Sequence, residues 1–329
     1  MQRNKRHKQR GAALISALLI VSVMSVVAVS IMDTIRFSAR LSTNIADRDQ
    51  ARLYAVAAEE LAKSTIRQAW RADSTRNPVL DQWTQAPLTF PIPEGLIEGG
   101  VRDGANCFNL NSVVSSGEGG FRYDEVGAAR FEHFLEQFGV PTAESALIAA
   151  ELADWIDTDD QASFGGAEDD YYLGLDSPYR TGGQFMADPS ELRALRTMTP
   201  SLYETIRPLI CTRPTNVLHP INLNTLQDWQ APLLAAYLGQ TYDTAIALQL
   251  LTERPVGGYG AVSDFFEQAI REPETFTEVA RERFALISKA YEVAATIRFR
   301  DATVAVTSTL QISDAGDITT LSRRYGPIE

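Results

Sequence analysis

Hydrophobic and polar positions fall into three patterns along the chain. Residues 11–32 carry no charge, and these 22 residues, at ~1.5 Å rise each, make a helix of about 33 Å, enough to cross the hydrocarbon of a bilayer. Residues 33–70 turn amphipathic, with Leu53, Val56, Ala57, Leu61 and Ile66 spaced three to five positions apart. Neither Pro nor Gly interrupts 12–76, so both stretches read as one helix of about 90 Å, half in lipid and half against a soluble domain.

Past Asn77-Pro78 the pattern breaks into a Pro-rich loop. Residues 87–93 and 95–101 read as short edge strands. Residues 292–312 read as two strands about a turn, because Val293, Ala295, Ile297 and Phe299 alternate, as do Val304, Val306, Ser308 and Leu310. The block between is mainly helical, for instance at 130–138, 144–156, 190–195 and 233–251. The pattern therefore predicts an α+β fold: a leader at 1–11, a long helix at 12–76, a small antiparallel sheet from 77–110 and 285–329, and a large helical domain, 111–284, inserted in that sheet.

The insertion carries a faint repeat. Phe108-Asn109-Leu110-Asn111-Ser112 returns as Ile221-Asn222-Leu223-Asn224-Thr225, each followed by an apolar helical stretch. Such turns resemble the openings of helix-hairpin-helix or SAM-like modules, in which Asn and Ser/Thr side chains cap the next helix. A membrane-tethered DNA receptor is the sharper alternative. The Gly-containing hairpin that it needs is only partly present, at Phe138-Gly139-Val140 and Leu238-Gly239-Gln240, and the formal charge of −12 opposes a phosphate backbone, so no nucleic-acid partner is expected.

Charge is unevenly spread. Arg3, Lys5, Arg6, Lys8 and Arg10 have no acidic neighbours, which leaves a basic head on an acidic body. A basic leader before an apolar helix stays cytoplasmic by the positive-inside tendency, so one inner-membrane crossing with the body exported is expected. A cleaved secretory signal is the alternative, but its apolar core runs only 7 to 15 residues before a small-residue cleavage site. The run here is longer and no A-x-A triplet stands at its end, where a signal peptidase would need one.

Chemistry is sparse. Two Cys and three His exclude Cys-based and His-rich zinc sites, and G-x-S-x-G, H-E-x-x-H and phosphate-cradling glycine loops are missing. An acid pair for an exported hydrolase can be drawn from any of 42 carboxylates, which discriminates nothing. The strongest local signal is 151–170, with eight carboxylates and no Lys or Arg. Asp157, Asp159 and Glu168 take positions 1, 3 and 12 of a twelve-residue loop like that of an EF-hand, although Gln161 stands at position 5 and Ala162 replaces the glycine of position 6. The charge density favours a Ca²⁺ site; a solvated acidic surface is the alternative. Cys107 and Cys211 both lie in the exported part, where thiols oxidise, so a disulfide is expected, with two buried thiols as the alternative.

The leader ending in Gly11, followed by Ala12-Ala13-Leu14-Ile15-Ser16-Ala17-Leu18-Leu19 and a long helix, resembles the class III signal of type IV pilins and type II secretion pseudopilins. Ser16 stands where most of these subunits carry Glu, a residue that the K-type minor pseudopilins typically lack. Asp154-Trp155-Ile156-Asp157-Thr158-Asp159-Asp160, Gly166-Ala167-Glu168-Asp169-Asp170-Tyr171-Tyr172, Pro178-Tyr179-Arg180, Glu191-Leu192-Arg193 and Ile221-Asn222-Leu223-Asn224-Thr225 resemble the inserted domain of that K type. The resemblance implies cleavage between Gly11 and Ala12 by a prepilin peptidase, methylation of Ala12, and partnership with minor pseudopilins of the I and J types. It also implies structural Ca²⁺ in the insertion, with Asp157, Asp159, Glu168, Asp169 and Asp170 as candidate ligands, a structural rather than enzymatic role, and a place at the tip of the type II secretion pseudopilus for export of folded proteins.

Overall fold

The computed structural model describes residues 6–72, 74–75, 88–269 and 281–326; the expected loop after Asn77-Pro78 and the first five residues of the leader lie outside them. Helix α1 runs Arg6–Ala72 without a break through Gly11, 67 residues or about 100 Å at the α-helical rise. Its residues 13–45 are exposed throughout. From Asp47 onward one face packs on a five-stranded antiparallel sheet formed by β1 (Leu88–Ile92), β2 (Gly95–Asp103) and three later strands.

The buried stripe of α1 is Ala51, Ala55, Ala62, Ile66 and Trp70. The sequence pattern had favoured Leu53, Val56, Ala57, Leu61 and Ile66, and of these only Ile66 is buried, while Leu53 and Leu61 face out. Small alanines let the helix axis approach the sheet, so bulk ends up on the far face. Among the buried residues of the stripe is Glu59, which accepts from Arg323 Nε (2.7 Å), Arg323 Nη2 (2.9 Å), Ser308 Oγ (2.6 Å), Thr320 Oγ1 (2.7 Å) and Lys63 Nζ (2.9 Å). Burial alone raises a carboxyl pKa, but these donors outweigh it and hold Glu59 well below the usual carboxylate range.

The chain leaves the sheet after Asp103 and builds the helical domain. In order come β3 (Phe108–Asn109), a 3₁₀ turn at Leu110–Val113, β4 (Val114–Gly117), β5 (Gly120–Tyr123), α2 (Glu125–Glu136), α3 (Thr142–Ile156) and α4 (Asp169–Tyr172). A 3₁₀ helix at Pro189–Ala194, α5 (Pro200–Ile206), β6 (Ile210–Cys211), β7 (Ile221–Asn222), α6 (Ala231–Leu238), α7 (Thr244–Thr252), α8 (Val262–Ala269) and β8 (Phe284–Ala285) complete it. The chain then returns as β9 (Ala290–Phe299), β10 (Ala302–Ile312) and β11 (Ile318–Tyr325), giving the sheet order β1-β2-β9-β10-β11. Register pairs Val101 with Val293 and Val306 with Ala295, so the alternating set faces α1 as expected. β1 is an edge strand, but β2 is internal, between β1 and β9.

The expected helix at 233–251 is two helices, because Gly239 at φ 101° ends the first and the Asp243 side chain caps the second. The expected helix at 190–195 is a 3₁₀ turn. The insertion also begins earlier than 111: Phe108 and Leu110 belong to the apolar core of the helical domain, and β3 pairs with β6 inside that domain. At the crossing, the half-buried Asp103 carboxylate accepts from the hydroxyls of Ser288 and Thr225 and from Ala105 N–H at 2.8 Å. Arg324 Nη1 reaches Asp188 at 3.0 Å. These contacts fix the helical domain to the sheet that carries it.

Candidate functional site

The repeat seen in the sequence is a structural duplication. β3 pairs with β6 in parallel, and β7 pairs with β8 in parallel. In each copy the first Asn accepts from the backbone N–H two residues on, Asn109 from Asn111 (3.3 Å) and Asn222 from Asn224 (3.0 Å). The following hydroxyl lies back against that Asn's carbonyl: Ser112 donates to it at 2.7 Å, while Thr225, which donates to Asp103, sits 3.3 Å from it.

Capping is what the sequence predicts for the side chains of these turns, and Asn109 does cap the 3₁₀ turn Leu110–Val113, but the second Asn of each copy has another role. Asn111 instead latches a distant peptide group: Nδ2 donates to Met186 O (3.1 Å) and Arg213 O (2.8 Å), and Oδ1 accepts from Met186 N–H (2.9 Å). Asn224 does the same to Tyr259, donating to its carbonyl (3.1 Å) and accepting from its N–H (2.8 Å). The true cap of α2 is Asp124, which accepts from Val126 and Gly127 N–H. Between the second helix of each copy and its latched residue runs one connection, 157–185 in the first copy and 253–258 in the second.

The long connection holds the acidic cluster. Asp154 lies in the last turn of α3, Asp157 is the residue that ends α3, and Glu168 is the N-cap of α4, where its side chain accepts from Asp169 N–H. All three are buried, and one carboxylate oxygen of each lies within 4.8 Å of the others. The negative end of the α3 dipole points into the same space. Asp154 accepts from Ser163 N–H at 3.1 Å, and any side chain at Gly166 would collide with its Oδ2. Asp157 Oδ1 and Glu168 Oε1 are buried with no hydrogen-bond partner. Burial, and then the neighbouring carboxylates, push both groups up to about 7.

Other buried acids in the molecule are treated differently. Glu151, one turn before Asp154, accepts from Arg196 Nε (2.9 Å), Thr197 N–H (2.8 Å) and Thr197 Oγ1 (2.6 Å), and Glu59 is satisfied as described above. Among the described residues, only Asp157 and Glu168 keep a buried carboxylate oxygen that neither a cation nor a hydrogen-bond donor satisfies.

Of the sequence candidates, Asp157 and Glu168 come together. Asp159 is exposed and accepts from Gln161 N–H. Asp169 pairs with Arg180 at 2.9 Å and accepts from Thr181 N–H at 3.0 Å, and Asp170 is exposed. Sequence reasoning left Asp154 out of the cluster, although its position three before Asp157 places both at one helix end. Cys107 and Cys211 are disulfide-bonded, tying the approach to β3 onto β6. Gly11 lies within the backbone of α1.

A long helix with an exposed apolar stretch, long enough by length and composition to cross a membrane once, laid on a small antiparallel sheet, defines a pilin-like class. Comparison with known proteins agrees. Residues 10–58 match the family model "PilX N-terminal", and 106–215 and 221–280 match two models of "Type II secretion system (T2SS), protein K". Type II secretion system protein K of Pectobacterium carotovorum subsp. carotovorum is 31% identical, over 98% of both chains, and that of Klebsiella pneumoniae is 31% identical, over 97% of both. A chain of the crystal structure of the GspK-GspI-GspJ complex from enterotoxigenic Escherichia coli superposes with a TM-score of 0.72 at 26% identity, covering 85% of this chain and 96% of that one. The chain belongs to the type II secretion system protein K family of minor pseudopilins. That family is a structural component of the secretion system.

Proposed function

We propose that this subunit starts or caps the pseudopilus from its tip, together with minor pseudopilins of the I and J types, and so serves the export of folded proteins across the outer membrane. The observation that carries this reading is the helical domain inserted between β2 and β9. A compact domain of that size is about 40 Å across, far wider than the step between neighbouring helices packed side by side at 8–10 Å. Such bulk is tolerable only where nothing is stacked above it. The exposed length of α1, with Phe37, Leu41 and Ile45 uncovered below the sheet, supplies an apolar surface for sister helices.

Processing fits the same reading. A prepilin peptidase cuts after Gly11, and Ala12 becomes the methylated amino terminus in the inner membrane. Mass spectrometry of the mature chain should find methyl-Ala12. For assembly, cells that overproduce the major subunit should form many filaments with this chain and few without it. Equal numbers in both would contradict an initiating or capping role.

Asp154, Asp157 and Glu168 would hold a Ca²⁺ ion. The donor set is oxygen only, which suits a hard cation, and the orphaned Asp157 Oδ1 and Glu168 Oε1 are the atoms that need one. Bound Ca²⁺ supplies positive charge that offsets three buried carboxylates. The residues themselves pin the end of α3 to the start of α4, and no side chain beside them is placed to activate a substrate.

A further inference from the structure

Two apolar side chains project farther than any other among the described residues. Phe164 is 104% and Val256 110% exposed, and the next large apolar residue, Val26 at 70%, lies in the membrane-spanning stretch. Single exposed apolar side chains are ordinary on protein surfaces. These two occupy equivalent places. Each follows the second helix of its repeat and precedes the residue latched by Asn111 or Asn224. Each is the second residue of a four-residue turn ending in Gly-Gly: Ser163-Phe164-Gly165-Gly166 is closed by Gly166 N–H to Ser163 O at 2.9 Å, and Pro255-Val256-Gly257-Gly258 by Gly258 N–H to Pro255 O at 2.8 Å.

Neither turn is loosely held. Arg196 Nη2 donates to Gly165 O at 2.8 Å, and Ser163 N–H donates to the buried Asp154. Arg254 Nη1 ties the second turn to Leu223 O (2.7 Å) and Leu226 O (2.8 Å). A side chain carried on fixed backbone loses less freedom on binding than one on a mobile loop. A rigidly presented aromatic entering a partner's pocket is the usual form of an interface anchor.

We propose that Phe164 and Val256 are paired contact points for a protein partner of the helical domain, with Phe164 the anchor. Asp159, Asp160 and Asp170, all exposed, lie along the same acidic connection, and 151–170 contains no Lys or Arg. The partner's surface is therefore an apolar pocket with a basic rim. The same acidity opposes docking on an anionic lipid surface. The proposal rests on the tip position given under Proposed function.

The test uses the full chain in secreting cells. A photo-crosslinking benzoyl-phenylalanine is placed at 164, at 256 and, as a control, at the exposed Asp314. Protein adducts should form at 164 and 256 and not at 314, and Asp160→Lys should lower the yield at 164 severalfold. Phe164→Asp should cut secretion at least tenfold while Phe164→Leu stays within twofold, both with unchanged melting temperature. Normal secretion by Phe164→Asp, adducts to lipid alone, or equal loss in Phe164→Leu would each overturn the proposal. End labelling of filaments, recorded in the same strains, separates the two readings: labels at one end with normal Phe164→Asp secretion remove the contact points alone, whereas labels along the shaft remove the tip.

Discussion

The two repeats of the helical domain share a latch and differ in what they hang from it. Both place an Asn amide against a distant peptide group, and in both a two-helix hairpin follows that Asn, with a glycine of positive φ between its helices, Gly139 at 79° and Gly239 at 101°. The second repeat closes its connection, 253–258, with one turn tied by Arg254. The first spends 157–185 on an acidic excursion that ends in buried, unpartnered carboxylate oxygens. The comparison teaches that the latch and the apolar core suffice to hold the repeat, since the second copy has no acidic group of this kind among its described residues. The cluster is therefore an addition to the first copy. It follows that cation removal should loosen one repeat and leave the other.

The disulfide gives the largest expected contrast. It closes a separation of 104 residues, for which the chain-entropy estimate is about 4.7 kcal/mol. Cys211→Ser should cost about 2–5 kcal/mol in urea unfolding, and hydrogen exchange should rise first at β3 and β6. Next come the latches. Asn111→Ala leaves both polar groups of Met186 and the Arg213 carbonyl unpaired inside the protein, about 3–5 kcal/mol, whereas the less buried Asn224 loses two bonds and should cost about 1–3 kcal/mol. Equal losses in the two variants would break the proposed asymmetry.

A smaller effect is expected from the cation. At a concentration one hundred times its Kd, Ca²⁺ adds about 2.7 kcal/mol. Chelation should therefore lower the melting temperature by several degrees, with exchange rising at α3 and α4 and not at α6 and α7. Asp157→Asn should remove this response to chelator. The smallest contrast is with pH. Asp157 and Glu168 are raised to about 7 in the fold, above their unfolded values near 4, so the cation-free protein binds protons more tightly when folded. The contribution of these two groups to its stability is fully present below about pH 4 and is lost as pH rises through 7. Ca²⁺ must displace those protons, so calorimetric affinity should weaken below pH 7 and be constant above 8.

Legibility in the sequence followed the range of the interactions. α1 was visible because nothing in 12–76 breaks a helix, and β9 and β10 because their apolar residues alternate against one face. The buried stripe of α1 was misplaced, since Ala51, Ala55 and Ala62 carry little hydrophobic signal and yet make the closest approach to the sheet. The site was half legible. Charge density pointed to Asp157 and Glu168, but Asp154 sits among apolar helix positions, and Asp169 looked equivalent until Arg180 and Thr181 occupied it. The latch was illegible because Asn111 and Met186 are 75 residues apart, and no local pattern announces a side chain that binds a remote peptide group.

A tip subunit is defined by where it sits in the filament. Filaments purified from secreting cells, with a small gold label on an exposed position of the sheet such as Asp314 of this chain, can be counted one by one in electron micrographs. Label is expected at one end of a filament and none on its shaft; gold distributed along the shaft would contradict the tip position.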